Sequence, residues 1–174
     1  MQYVEVAGRA VLVVVFALAL ISKVSSRSAW AAFVVSLQRM DVVASAWTRA
    51  AAVATVVAEA AIVMLALVPV RQAGTVAFVL AAGLLGALTA AIARVIRRRT
   101  AVPCRCFGAS DTPLSMQHVA RNLTLAVIAV LGLAGSLAGG GFQAPMVAVI
   151  ALAGVLIGLL VTRWDDLAAL MRVP

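Results

Sequence analysis

Cys104 and Cys106 are the only two cysteines in this 174-residue chain. They stand in the segment Pro103-Cys104-Arg105-Cys106-Phe107-Gly108, in a polar, arginine-rich break between long apolar runs. A thiol reacts as its thiolate, and nearby cations favour that form. Arg105 lies between the two sulfurs, and Arg97-Arg98-Arg99 lies just upstream. Two cysteines one residue apart can close a very small disulfide ring. Disulfide geometry asks for Cα atoms about 4.4–6.8 Å apart, which residues i and i+2 reach only in certain turn or extended forms. A strained bond of this kind is readily reduced, which suits transfer of a disulfide better than a structural bridge. Pro103 and Gly108 would help to set the unusual backbone path.

Three other readings of the pair stay open on the residues alone. The thiols could be inert and half-buried. They could hold a metal, with His118 as a third ligand, but a closed four-ligand zinc site would then need Asp111 or a second chain. The segment could also be a docking surface. His118 by itself reads as an interfacial helix residue. No phosphate-binding glycine loop is present, and Ser, His and Asp show no hydrolase spacing. The remaining candidate for chemistry is Glu59, which sits in the middle of an apolar run.

The composition says what must position these groups. The chain is 65% hydrophobic and 11% charged, with mean hydropathy +1.14. A soluble domain has about half apolar and about a quarter charged residues, so the solvent implied here is lipid. The net charge of +8 would suggest nucleic acid in a soluble protein. The arginines lie mainly at the ends of apolar runs, where membrane proteins place them to set orientation. That argues against a nucleic-acid partner and for membrane lipid.

The pattern predicts an all-α, multi-pass membrane bundle in a single domain, residues 1–174. Five spans are expected at about 4–24, 50–70, 72–94, 114–138 and 144–163. The first apolar run, Ala10 to Ser22, is short for a span of about 20 residues. It reaches that length if Arg9 and Lys23 extend to the two interfaces. Glu5 and Arg9 are four apart and can pair on one face. The short core between cations also has the outline of a signal peptide, but Lys23 follows it directly and no A-x-A site is there.

Over 28–48, Trp30, Phe33, Leu37, Met40, Ala44 and Trp47 recur in steps of three and four. Ser36, Gln38, Arg39, Asp41 and Ser45 fall mostly elsewhere. This predicts one amphipathic helix at the membrane surface, or one packed on the bundle. In the second span, an ionised group such as Asp at the centre costs about 2.5–3.5 kcal/mol on insertion scales. Glu59 should therefore face the bundle, protonated or paired. Lys23 and Arg121 are its candidate partners. Pro69 lies near that span's end. Thr112-Pro113 reads as an N-cap and first helical residue of the fourth span. Gly139-Gly140-Gly141 and Pro145 divide the charge-free stretch 122–162. Gly154 and Gly158 permit close helix contact, expected within the bundle rather than in a dimer.

Five spans place the segments after spans one, three and five on one side. They hold every cation except Arg9 and Arg71. The positive-inside rule then puts the amino terminus outside and the cysteine segment at the cytoplasmic face.

Cys104-Arg105-Cys106-Phe107-Gly108, followed by Arg121-Asn122-Leu123 at the opening of an apolar helix, resembles the MauE family of methylamine utilisation membrane proteins, related to DoxX-like proteins. Ser22-Lys23 at the end of the first span and Glu59 in the second resemble that family too. The likeness covers about residues 5–138, a four-span unit, with a fifth span added. It implies a multi-pass protein of the bacterial cell (inner) membrane that works with a thioredoxin-like partner. The implied role is maturation of an exported, disulfide-rich protein, as for methylamine dehydrogenase. Cys104 and Cys106 would carry thiol–disulfide exchange. Arg105 would favour the thiolate, and Glu59 would handle protons. Lys23, Arg121 and Asn122 would support them. The charge count puts the motif inside, so the cysteines would lie at the cytoplasmic mouth and pass reducing equivalents outward. No motif calls for a cofactor such as quinone. The alternatives are a non-catalytic membrane subunit that anchors a soluble partner, in a homo- or hetero-oligomer, and a small-solute carrier centred on Glu59.

Overall fold

A computed structural model describes residues 2–98, 116–138 and 144–163, all built from helices and short connections. The helices are α1 (Gln2–Val24), α2 (Arg27–Met40), α3 (Thr48–Leu67), α4 (Arg71–Arg97), α5 (Met116–Ala138) and α6 (Ala144–Thr162), with a 3-10 turn at Ser45–Trp47 before α3. Among the described residues, four helical stretches are long and apolar enough to cross a membrane: α1, Ser45–Leu67, α4 and α5. α6 is apolar but shorter.

α1 is the hub. Its buried residues Glu5, Gly8, Leu12, Phe16, Ala19 and Lys23 recur every three or four positions, which makes one continuous stripe along a helix. α1 packs on α3, α5 and α6, while α4 packs between α3 and α5. The core joins Leu12, Val15 and Phe16 of α1 to Ile62 of α3, Phe78 and Leu85 of α4, and Leu125 of α5. Gly8 and Gly132 let α1 and α5 approach closely around the Phe78 ring: a Cβ on Gly8 would lie 3.1 Å from that ring, and one on Gly132 would run into it. The outward face is Val, Leu and Met, including Val57, Met64, Val127 and Leu137, all exposed. That distribution suits lipid rather than water.

The turn between α3 and α4 is built by sequence and then locked from α1. A residue before proline is driven out of the helical region. Val68, ahead of Pro69, is extended at φ −72°, ψ 122°, so α3 stops at Leu67, short of the expected Val70. The carbonyls of Val68 and Val70 accept hydrogen bonds from the Arg9 guanidinium at 2.6 and 2.9 Å. The same guanidinium bonds Glu5 Oε1 at 2.8 Å, the pair expected from their spacing. Gly74 leaves the room for it, since a Cβ there would overlap the Arg9 side chain.

The expected helix over 28–48 is divided. Ser26 caps α2 by accepting from Ala29 N at 3.0 Å. Asp41 ends it in the left-handed region, φ 46°, ψ 41°, a conformation that a short polar side chain tolerates. Met40, the last residue of α2 and on its buried Phe33–Ser36 face, packs against Ile92 and Val95 of α4. Trp47, expected on the same apolar face as Trp30 and Phe33, is instead 66% exposed beyond the break. α2 lies against α1 and α3.

α6 runs parallel to α1. Gly154 sits against Ala7 and Ala10, and Gly158 against Val14, so the two-glycine pattern serves contact inside the bundle. The linker 139–143 and the proposed cap at Thr112-Pro113 lie outside the described residues.

Candidate functional site: a buried polar layer

Lys23 and Glu59 are the centre of the site. Lys23 is 1% exposed and Glu59 0%, and Nζ lies 2.7 Å from Glu59 Oε1. Lys23 Nζ also donates to Ala19 O at 3.2 Å. The Phe33 ring of α2 faces the ammonium, 5.2 Å from ring centroid to Nζ, within cation–π reach. The expectation that Lys23 extends to the interface is therefore corrected. Its side chain turns back along α1 because a carboxylate and an aromatic face meet it inside. Glu59 does face the bundle, and its ion-pair partner is Lys23. Pairing removes the net charge that would otherwise oppose insertion of α3.

α5 supplies a second polar group. His118, Arg121 and Asn122 are 2%, 3% and 0% exposed. They head the stripe that continues through Leu125 and Ala129, so one helical face is polar in its first turns and apolar after. His118 is thus a buried residue, not an interfacial one; its place one turn before Asn122 on the apolar stripe was the signal. Both side-chain polar atoms of Asn122 and the Oε2 of Glu59 are buried without a hydrogen-bond partner among the described residues.

These groups share one level of the bundle. A Cβ on Gly8 would stand 3.4 Å from Gly132 Cα, which sets α1 beside α5. α1 runs against α3, through Arg9 to Val68 and Lys23 to Glu59, and α4 against α5, through Thr75 to Ser136 and Val95 to Val119, so α1 and α5 are antiparallel. Asn122 is then about 15 Å along α5 from Gly132, at 1.5 Å per residue. The same rise brings α1 from Gly8 to about Leu18 and Ala19. Glu59 reaches that level independently, through the Lys23 ammonium that also bonds Ala19 O. Asn122 and Glu59 therefore flank α1 within about one helical turn of each other.

The layer lies toward the end of the bundle where α1 and α4 finish and α3 and α5 begin. Met40, Ile92 and Val95 pack together there with Val119 of α5, and Arg98 Nη1 donates to Asp41 O at 3.0 Å. Chain order attaches the cysteine segment between Arg98 and Met116. Cys104, Arg105 and Cys106 themselves lie outside the described residues. Of the groups singled out from sequence, the fold joins Lys23 to Glu59 and buries Arg121 and Asn122 on the neighbouring helix. Phe33 as a lid on Lys23 was missed; its spacing marked it as apolar but not as a cation's neighbour.

No curated protein and no solved structure matches the chain. A family model, described as methylamine utilisation protein MauE, matches residues 1–135, which takes in α1 to α4 and nearly all of α5 and leaves α6 beyond it. With more than three quarters of its 174 residues matched, the chain belongs to the MauE family of membrane proteins tied to methylamine utilisation.

Proposed function

We propose that the protein is a membrane thiol–disulfide redox protein that supports maturation of an exported protein together with a thioredoxin-like partner. Cys104 and Cys106 carry the exchange. A thiolate of the pair attacks one sulfur of the partner's disulfide, and the partner's other sulfur leaves as thiolate and takes up a proton. The second cysteine then attacks the mixed disulfide. The pair becomes a disulfide and the partner a dithiol; the reverse sequence returns both. Arg105 favours the attacking thiolate, and Glu59 exchanges protons within the bundle.

The observation that carries this reading is the buried polar layer of Lys23, Glu59 and Asn122 toward the end of the bundle to which chain order ties the cysteine segment. A bundle that served only as an anchor has no need of an ion pair and an amide in its core. The cations support the orientation. Lys23, Arg27, Arg39, Arg49, Arg94, Arg97 and Arg98 belong to that end, and Arg9 and Arg71 to the other. By the positive-inside rule the cysteine end is cytoplasmic and the amino terminus outside, in the bacterial inner membrane.

The test is capture. Cys104→Ser and Cys106→Ser each leave one thiol able to hold a partner as a mixed disulfide that reductant releases. A pair that stays reduced under mild oxidant, with no captured partner in either variant, overturns the redox reading. Full function in the double variant would favour a membrane subunit that anchors a soluble partner. The Lys23–Glu59 pair also fits a small-solute carrier, and full function in Glu59→Gln removes that reading.

A further inference from the structure

The polar layer holds more hydrogen-bonding capacity than the protein satisfies. An amide such as that of Asn122 offers two donor hydrogens and two acceptor lone pairs, and among the described residues neither its nitrogen nor its oxygen has a partner. The Oε2 of Glu59 also has none. Both residues are 0% exposed. Buried polar groups in folded proteins are nearly always satisfied, and where protein atoms do not do it, bound water does.

The identity of the occupant follows from charge. A metal cation is opposed by the Lys23 ammonium, 2.7 Å from the same carboxylate. An anion is opposed by Glu59. An apolar ligand leaves the same polar atoms unsatisfied. A small neutral molecule that both donates and accepts meets every requirement. We propose that Glu59 Oε2 and the Asn122 amide together hold water inside the bundle, at the level of Ala19.

The third unsatisfied group marks the way in. Thr48 Oγ1, at the start of α3, is buried without a partner. Thr48, Thr55 and Glu59 are spaced by seven and four residues, so they share one face of α3. Beyond Glu59 that face is apolar: Ile62 is 0% exposed and Ala66 5%. Hydration therefore enters from the Thr48 end and stops at Glu59. It gives the Glu59 carboxyl group a proton-exchange route to one side of the membrane only.

The experiment uses the full chain in membranes with Cys104 and Cys106 both changed to Ser, so that an introduced cysteine is the only thiol. Asn122→Cys and Leu125→Cys place that thiol on the same face of α5, one turn apart. Infrared spectroscopy follows conversion of S–H to S–D after transfer to deuterated water, a probe no larger than water itself. Exchange at position 122 should be at least tenfold faster than at 125. Thr55→Cys against Ile62→Cys repeats the comparison on α3 and decides the matter if either α5 variant does not fold. Slow, equal exchange at the polar and apolar positions of a folded pair would overturn the proposal. Because this chain cannot perform disulfide exchange, the result stands whatever the mixed-disulfide capture shows.

Discussion

Removing one partner of the Lys23–Glu59 pair should damage the protein more than removing both. At 2.7 Å and an effective dielectric constant of about 20, the mutual attraction is about 6 kcal/mol. Desolvation of the two charges offsets much of this, so the pair adds little net stability. Its parts are another matter. Lys23→Met leaves a carboxylate in the core, and Glu59→Leu leaves an ammonium there. Breaking a buried pair in this way costs about 3–5 kcal/mol, a shift of more than a hundredfold in the unfolding equilibrium. The double variant Lys23→Met, Glu59→Leu replaces both charges with apolar groups of similar size and should lie within about 2 kcal/mol of wild type, on either side. The assay is reversible unfolding in mixed micelles, followed by helical circular dichroism, for all four proteins of the cycle. The coupling between the sites should be several kcal/mol. Single variants that each cost under about 1 kcal/mol, with additive effects, would refute the buried pair. A double variant as stable as wild type but inactive would separate folding from function at this site.

Further tests concern the rest of the bundle. Gly132→Ala should cost about 1–3 kcal/mol by overpacking against the Phe78 ring, while Gly83→Ala meets no atom within 4 Å and should be neutral or slightly stabilising; thermal unfolding of the two side by side checks both. Arg9→Ala removes charged hydrogen bonds to Val68 O and Val70 O and should cost about 2–4 kcal/mol, with early hydrogen exchange in the first turn of α4. Gly154→Val should push α6 off Ala7 and Ala10 and abolish cross-linking between cysteines placed on α1 and α6, while the melting of the other helices changes little. A membrane-impermeant maleimide should label Cys104 and Cys106 poorly in intact cells and well after reduction and permeabilisation; strong labelling of intact cells would reverse the proposed orientation.

The helices were legible because lipid imposes length and apolarity, and those are written in composition. Among the described residues, α5 (Met116–Ala138) and α6 (Ala144–Thr162) lie in the expected apolar runs for this reason. The fate of long polar side chains was not legible. Lys23 at the end of an apolar run has two physically reasonable destinations, the interface and the core. What decides between them is Glu59 and Phe33, which are distant in sequence. Glu59 itself was easier, since a carboxylate in mid-span has only inward-facing solutions. The break at Asp41 was hidden because the three- and four-residue recurrence continues through it. What the end of α2 packs against, Met40 on Ile92 and Val95 of α4, is a tertiary fact. Arg9 shows the mixed case: its pairing with Glu5 follows from local spacing, and its bonds to Val68 and Val70 do not.

The Arg9 contacts also determine where this bundle can bend. One guanidinium ties α1 at once to its own Glu5 and to the backbone of the α3–α4 turn. Any tilt that separates these elements must break those bonds together, and hydrogen bonds from a charged donor are worth more than neutral ones. At the opposite end the buried Lys23–Glu59 pair holds α1 to α3, while the turn after α2 meets the end of α4 through Arg98, which donates to Asp41 O at 3.0 Å and approaches its carboxylate at 3.5 Å with both side chains exposed, an ion pair of small worth in water. α1 is thus tied to its neighbours near both ends, and the exposed Arg98–Asp41 contact is the weakest of these ties. Relative movement of these elements therefore costs least where the end of α2 meets the end of α4, the point at which chain order attaches the cysteine segment.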